Sequence, residues 1–489
     1  MTVVARPGVS AAPRDRGIWI LSAAFLATCA YRAATQSIVH DEALTWLLFI
    51  RGSWRRPFAY TGNQEHVLLS LLSKLSTSIF PTNEFFLRLP LLLAASLFCV
   101  ASAILLRRLI ASPWLRLAGF AMLTLNPYTM DYFVAARGYG LMIAFVMLAL
   151  VLLAPGVGTP PSAARAAAVG ALFGLSAAAM PITLFPFVGL VCGFIVCEAL
   201  SRRLALALRR AAIAGAVALG IAATLLATQI YHGERGDYYL GAPTLAAALA
   251  SVVRASWRHV DPTVPSLAAL SSLEQVVCAA TIASMLAIAV LAVQSMRRWP
   301  ETTARERTLV WLVLSLSTIV IQVVMAHWVA GLPYPGGRTA IYWIPLATLT
   351  AILAVDSLQS RSLPWAVAWS LTVIVLTKDA MRFQTRAFAD ENYDAPGRAI
   401  IAKIVDVHGR ATRRETVGGS WQTEPAMNFY RLTRGLDWMA PVERNPPAPG
   451  YDYYVLIRED AAAVKALDLH VLLADGVSGT WLAAPKRQE

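Results

Sequence analysis

Apolar runs of membrane-crossing length recur along the first three quarters of the chain, separated by short polar gaps. Runs able to cross about 30 Å of hydrocarbon as helices fall near 18–34, 85–106, 117–133, 139–153, 163–180, 182–200, 211–230, 273–293, 308–329, 340–355 and 363–376. Lipid offers backbone groups no partner, so each run must satisfy its own hydrogen bonds as a helix. The pattern predicts an all-α polytopic membrane domain of about eleven transmembrane helices over residues 1–380.

One further apolar stretch, 67–80, is shorter and carries Ser70, Ser73, Lys74, Ser76 and Ser78. It reads as an interfacial helix lying on the outer surface, because counting it as a span would invert every later cluster of arginines. Beyond residue 380 the periodicity changes: 399–407 is helical, 452–457 strand-like, 461–467 helical and 470–473 strand-like, which predicts a small extracytoplasmic α/β domain over 381–489.

Composition agrees with a bilayer as solvent: 57% of the 489 residues are hydrophobic and 15% charged, against about 25% charged in a soluble chain. The net charge of +13 is no sign of nucleic acid, because the arginines sit in short loops between apolar runs, where they set topology. Arg14 and Arg16, Arg107, Arg108 and Arg116, Arg202, Arg203, Arg209 and Arg210, and Arg297, Arg298, Arg305 and Arg307 all fall on the N-terminal side of the membrane. The N-terminus is therefore expected in the cytoplasm and the C-terminal domain outside. The first run lacks a small-residue cleavage site and reads as a retained signal anchor. Cys29, Cys99, Cys192, Cys197 and Cys278 all lie within apolar runs, so neither a disulfide framework nor a zinc pattern is present.

Polar residues able to do chemistry concentrate in the outer loops. The first loop opens with Ser37-Ile-Val-His-Asp-Glu-Ala-Leu-Thr45, in which Asp41 and Glu42 form an acidic pair at the membrane surface. Such a pair can take a proton from an acceptor hydroxyl, or can simply cap the helix that follows. Later come Asn63-Gln-Glu-His66, Phe86-Leu-Arg-Leu-Pro90, Pro127 followed by Ala136-Arg-Gly-Tyr139, and Tyr334-Pro-Gly-Gly-Arg338. Elsewhere the bland reading is the better one. Gln322 and His327 suit contacts between helices. Glu198 and Asp356 fall near cytoplasmic ends and read as solvated. Glu234, Asp237, Tyr238 and Tyr239 precede an amphipathic stretch, 245–257, expected to lie on the membrane.

Taken together and in order, the outer-loop motifs resemble the GT-C class of membrane glycosyltransferases, specifically the bacterial family 39-like enzymes related to protein mannosyltransferases and to aminoarabinose transferases of lipid A. The resemblance spans most of residues 15–380. It implies an inverting transfer of a sugar from a polyprenyl-phosphate donor to a lipid, glycan or protein acceptor at the outer face of the bacterial cytoplasmic membrane, among membrane lipids. By the same resemblance Asp41 is the catalytic acid or base with Glu42 beside it, and Arg338, Arg137 and Arg88 contact the donor phosphate. His66, Tyr139 and Tyr334 are implied to bind substrate. The chain departs from the family pattern at Val67, Ala135 and Met180-Pro-Ile-Thr183, positions tied to the donor's phosphate contacts. No metal constellation stands out and no cofactor is required by this reading, while Asp41 and Glu42 side by side are able to hold a divalent cation. The competing class is a polytopic lipid or saccharide transporter or flippase. It fits less well, because the spans are nearly uncharged at their centres and no repeated halves are found.

Overall fold

The computed structural model describes residues 16–62, 66–154, 160–234, 240–257, 268–358, 362–409 and 413–486. Asn63, Gln64, Glu65, Asp237, Tyr238 and Tyr239, singled out above, lie outside the described residues, as does the side chain of Cys278.

The chain is mostly helical, with one small sheet near its C-terminal end. Helix α1 (Arg16–Thr35) leads to a short α2 (His40–Thr45) that runs into a wider π-turn over Trp46–Ile50. Helix α3 is Val67–Ile79 and α4 is Glu84–Leu109, the latter started by the side chain of Asn83, which accepts the Phe86 N–H at 3.0 Å. The run expected at 117–133 is two helices, α5 (Pro113–Thr124) and α6 (Pro127–Tyr132). Proline disfavours helix in the residue before it, and Asn126 caps the second piece by accepting the Thr129 N–H at 3.0 Å. Then follow α7 (Tyr139–Leu153), α8 (Ala163–Ala179), α9 (Leu184–Leu200), α10 (Leu204–Leu225), the single-turn α11 (Ala227–His232), α12 (Leu245–Trp257), α13 (Ala268–Arg297), α14 (Ala304–Ala330), α15 (Trp343–Ser357) and α16 (Ser362–Arg382). A Thr303–Glu306 capping box starts α14, and Gly331, at φ +69°, ends it in the left-handed conformation that glycine tolerates.

Among the described residues, five helical stretches are long and apolar enough to cross a membrane: Arg16–Thr35, Glu84–Leu109, Pro181–Leu200, Leu204–Leu225 and Ala304–Ala330. The remaining expected spans fall on shorter, interrupted or less apolar helices. The chain is thus a multi-pass membrane protein, with eleven as an upper reading of its sequence. At 13 residues, α3 reaches only about 20 Å, too short to span. One of its faces is buried against α4 and α8.

Helices pack mainly in the pairs α8 with α10, α9 with α14, α4 with α7 and α7 with α8. Glycines make two of these close: Gly170 and Gly174 face Ala214 and Ala218 of α10, and Gly189 and Gly193 face Ser315 and Ile319 of α14. Small residues let backbones approach where lipid supplies no hydrophobic drive between helices. Two side chains read as solvated are in fact buried. Asp356 accepts the N–H groups of Ala111 and Ser112 at 2.9 and 3.2 Å, and Glu198 is fully covered with Arg203 4.0 Å away. Buried carboxylates need such partners.

The C-terminal part comprises α17 (Gly397–His408), β1 (Val417–Gly419), α18 (Glu424–Thr433), β2 (Tyr453–Leu456), α19 (Ala461–Ala466), β3 (Leu469–Asp475) and β4 (Thr480–Pro485). The sheet order is β1-β2-β4-β3, with β1 parallel to β2 and the other pairs antiparallel. This small α/β unit does not stand apart from the helices. The Arg398 Nε donates to Glu84 at 2.6 Å, the Tyr430 hydroxyl donates to the same carboxylate at 2.8 Å, and the Ile38 N–H donates to Tyr430 at 2.9 Å.

Candidate active site

The acidic pair is pulled two ways. Glu42 turns inward to Arg88 on the first turns of α4: Arg88 Nε and Nη2 donate to its two oxygens at 2.8 and 2.6 Å, a bidentate fork. The rest of the guanidinium donates to the carbonyls of Ala33, Gln36 and Ser37, and the N–H of Ala136 donates to Glu42 at 2.5 Å. Both side chains are wholly buried. Arg88 therefore has no capacity left for a donor phosphate, contrary to the role the resemblance implied. It ties α4, the end of α1, the first outer loop and the α6–α7 turn into one knot.

Asp41 faces the other way, toward two more arginines. Its Oδ2 accepts from Arg338 Nη1 at 3.0 Å, and Arg137 Nη1 closes on the same oxygen. Arg137 comes from the turn between α6 and α7, and Arg338 from the loop before α15, so residues 297 positions apart meet on one atom. Arg137 Nε is buried with no acceptor among the described residues. Burial, and then the charge of Arg338, push the Arg137 pKa down to about 10, so the guanidinium still carries its charge at neutral pH.

A third carboxylate completes the group. Glu391, from the segment after α16, places Oε1 3.5 Å from Arg338 Nη1 and 3.7 Å from Arg137 Nη1, while its Oε2 accepts the Asp41 N–H at 3.1 Å. Its backbone is left-handed, φ +59°, uncommon for a residue with a side chain. Burial raises the Glu391 pKa to about 7 despite the nearby Arg137 and Arg338. Next to it, Asp390 accepts from the hydroxyls of Tyr132 and Tyr128 at 2.8 and 3.3 Å.

Arg137, Arg338, Glu391 and Asp390 line a narrow cleft walled by Val39, Tyr128, Tyr132, Phe388 and Ala135, with Asp41 held against its two arginines. The segment that brings Glu391 here is firmly docked. Asp131, paired with Arg32 at 2.5 Å, accepts the Ala389 N–H; Asp394 accepts the His40 N–H at 2.7 Å; and the Phe388 ring lies under the guanidiniums of both Arg32 and Arg88. Residues assigned above to a separate soluble domain are part of the cleft wall.

Other expected site residues lie farther back. Tyr139 is buried behind Tyr132, ring centroids 4.8 Å apart, with His66 at 6.0 Å on its other side. Burial, reinforced by the charge of Arg338, lowers the His66 pKa to about 4, so the ring is neutral at physiological pH. Tyr334 does not face the cleft. Its backbone pairs with Ala242 and its ring stacks on His327 at 4.3 Å, where it lines an apolar groove with Leu245, Ala248, Leu249, Val252, Val323 and Trp343. Helix α12 is thus a wall of the protein: Ser251 Oγ accepts the Gly337 N–H at 2.8 Å, bracing the loop that carries Arg338. Gln322 does reach a neighbouring helix, donating to the Phe185 carbonyl at 3.3 Å.

Asp41 and Glu42 do not converge as a cation seat, since their carboxylates go to different arginines. No cluster of three or more metal-ligating side chains occurs among the described residues. The acidic groups at the cleft face guanidiniums or phenols, a poor fit for a divalent ion. The residues missed by sequence reasoning are Arg32, Asp131, Asp390 and Glu391. The last two stand in the run Asp390-Glu391-Asn-Tyr-Asp394 just after the final apolar helix, a density of acid that was the available signal.

No protein-family model and no curated protein matches the chain. Among solved structures it is similar to ArnT from Cupriavidus metallidurans, in the apo state (14% identity, 96% of this chain and 99% of that one, TM-score 0.46) and bound to undecaprenyl phosphate (14%, 97% and 100%, 0.46). It is also similar to the oligosaccharyltransferase of Archaeoglobus fulgidus in complex with zinc and sulfate (12% identity, 90% of this chain and 68% of that one, TM-score 0.45).

Proposed function

We propose that this chain is an inverting glycosyltransferase that moves a sugar from a polyprenyl-phosphate donor to an acceptor at the outer face of a bacterial cytoplasmic membrane. The observation that carries the reading is one carboxylate oxygen of Asp41 held between two guanidiniums that line a cleft. Two further features support it. The buried Arg137 Nε–H lacks an acceptor, and leaving such a donor unpaired costs about 1–3 kcal/mol that an anionic ligand would recover. The apolar groove beside the Arg338 loop offers an isoprenoid tail a place next to the cations.

In this mechanism the donor phosphate binds Arg338 and Arg137, whose planar forks match phosphate oxygens. It competes with Asp41 for both cations and so releases Asp41 to act as general base toward the acceptor's hydroxyl or amine. The acceptor attacks the anomeric carbon from the face opposite the phosphate, and the arginines stabilise the charge gathering on the leaving group. One such pair at 4 Å and an effective dielectric near 20 is worth roughly 4 kcal/mol, about a thousandfold in rate if it acts on the transition state alone. Arg88 and Glu42 position the loop and do not touch substrate.

The test is Asp41→Asn in the purified full-length protein, assayed for sugar transfer from polyprenyl-phosphate-linked sugars. Transfer should fall by at least a hundredfold, within the range general-base catalysis supplies, about 10²–10⁴, with expression and melting temperature held. Full activity in the variant, or facilitated movement of the lipid across vesicles that ignores the substitution, would refute the assignment.

A further inference from the structure

Among the cleft carboxylates that the mechanism above leaves idle, Glu391 stands against both arginines. It faces Arg137 and Tyr139 from the α6–α7 turn and α7, Arg338 from the loop before α15, the main chain of Asp41 in α2, and Asp390, Tyr393 and Asp394 on its own segment. Its Oε1 stands against the same two guanidinium nitrogens that hold Asp41. Two arginines thus balance two carboxylates. Any phosphate that takes the arginines must displace negative charge from them, and Glu391, which grips them at 3.5 and 3.7 Å against 3.0 Å for Asp41 on Arg338, holds on less tightly.

We propose that Glu391 is a second catalytic residue, a proton carrier that becomes a carboxylic acid when the donor's phosphate occupies Arg137 and Arg338 and then gives its proton to the departing phosphate. The inference rests on the transferase reading. The step balances. The acceptor's O–H bond breaks, with its proton going to Asp41. The acceptor oxygen bonds to the anomeric carbon as the bond from that carbon to the phosphate oxygen breaks, its electron pair staying on the oxygen. The phosphodiester monoanion becomes a monoester that takes the Glu391 proton. When the lipid phosphate departs, Glu391 is again an anion on the arginines, and Asp41 sheds its proton to water. The acidities lie close together, a phosphate monoester's second pKa being near 6 and that of Glu391 beside the arginines about 7, so the transfer is uphill by only about one pKa unit, a small part of the reaction barrier.

The probe is methyl farnesyl phosphate, a prenyl phosphodiester with one fixed charge and no proton of its own to exchange near neutrality. Calorimetric binding to the full-length protein, repeated in buffers of different ionisation enthalpy, counts protons taken up. With Glu391 at about 7 before the probe binds, proton uptake should be small at pH 6 and larger at pH 7. Glu391→Gln should bind the probe with no uptake, and Glu391→Asp should restore part of it. A wild-type protein that binds without uptake, or a Gln variant with unchanged uptake, overturns the role of Glu391 and leaves the transferase reading standing. A wild-type protein that fails to bind the probe, where Arg338→Ala also changes nothing, overturns both. The wild-type pH series decides the question even if the Gln variant does not fold.

Discussion

Glu42 and Arg88 show how little of a residue's role its type reveals. Adjacent in sequence, Asp41 and Glu42 look equivalent, yet Glu42 spends both oxygens on a buried arginine while Asp41 meets the cleft. Removing one partner of such a buried pair strands the other charge, at a cost of about 3–5 kcal/mol. Arg88→Ala should therefore lower the melting temperature of the detergent-purified protein severely or abolish its expression. Arg338, 21% exposed, should behave oppositely: Arg338→Ala should keep the melting temperature within a few degrees and lose transfer. Equal destabilisation by the two substitutions would contradict this division. His66 adds a pH term. Its pKa is ordinary, near 6.5, in the unfolded chain and about 4 when folded, so the unfolded state binds the extra proton between those values. Its contribution to stability is present above about pH 6.5 and drains away as pH falls to about 4. His66→Gln should flatten that part of a melting-temperature profile.

Asp41 and Arg338 were singled out through the resemblance of their motifs rather than local pattern, since an acidic pair at a helix start reads equally as a cap. Arg88 was legible as a site neighbour, but its partner was not, since a carboxylate 46 residues away leaves no trace in local pattern. Glu391 was missed for a different reason. The switch from membrane periodicity to α/β periodicity marks a change of solvent and invites a domain boundary, whereas the chain uses the first residues past α16 to close the cleft.

At the scale of elements, most helix runs fell within about five residues of the observed helices, α10 starting seven residues early and α16 ending six late, while breaks were governed by single residues. Asn126-Pro127 splits one apparent span and so swings the α6–α7 turn toward the first outer loop. Strand β1 and helix α18 escaped notice because a three-residue strand or a half-polar helix carries little periodic signal, and β4, Thr480-Trp-Leu-Ala-Ala-Pro485, because it lacks polar alternation. The α6–α7 turn depends on Gly138, whose Cα lies so close to the Ala179 carbonyl that a Cβ would overlap it, with His66 Nδ1 only 3.1 Å away. The obstacle is backbone and cannot swing aside. Gly138→Ala should cost about 1–3 kcal/mol from overpacking, and, because the turn carries Arg137, lower transfer by more than its effect on stability explains. A variant that melts lower but turns over normally would show that the turn's position is not critical.

On the scale of the whole molecule, charge and site occupy opposite ends. Helix α4 begins beside the cleft, with Glu84 and Arg88, and ends at Arg107 and Arg108. Its 26 residues cover about 39 Å, slightly more than the hydrocarbon thickness. Helix α14 runs in the other direction, from Arg305 and Arg307 toward the loop bearing Arg338, and α7 leaves Tyr139 at the cleft end. Arg107, Arg108, Arg305 and Arg307 thus lie at the ends of α4 and α14 away from the cleft, whereas Arg51, Arg55 and Arg56 stand in the first outer loop with Asp41. If those arginine ends stay in the cytoplasm, as positive loops do, the proposed orientation puts the cleft and the C-terminal α/β unit outside. This orientation is testable on a background in which the five cysteines are replaced by alanine. A membrane-impermeant maleimide added to intact spheroplasts should label Trp54→Cys and Val471→Cys, both exposed in the wild-type side chains, while Arg203→Cys, in the exposed loop before α10, should react only after lysis. The reverse pattern would put the cleft on the cytoplasmic side. Labelling of Trp54→Cys without Val471→Cys would separate the α/β unit from the cleft, which is incompatible with Glu391 standing beside Asp41.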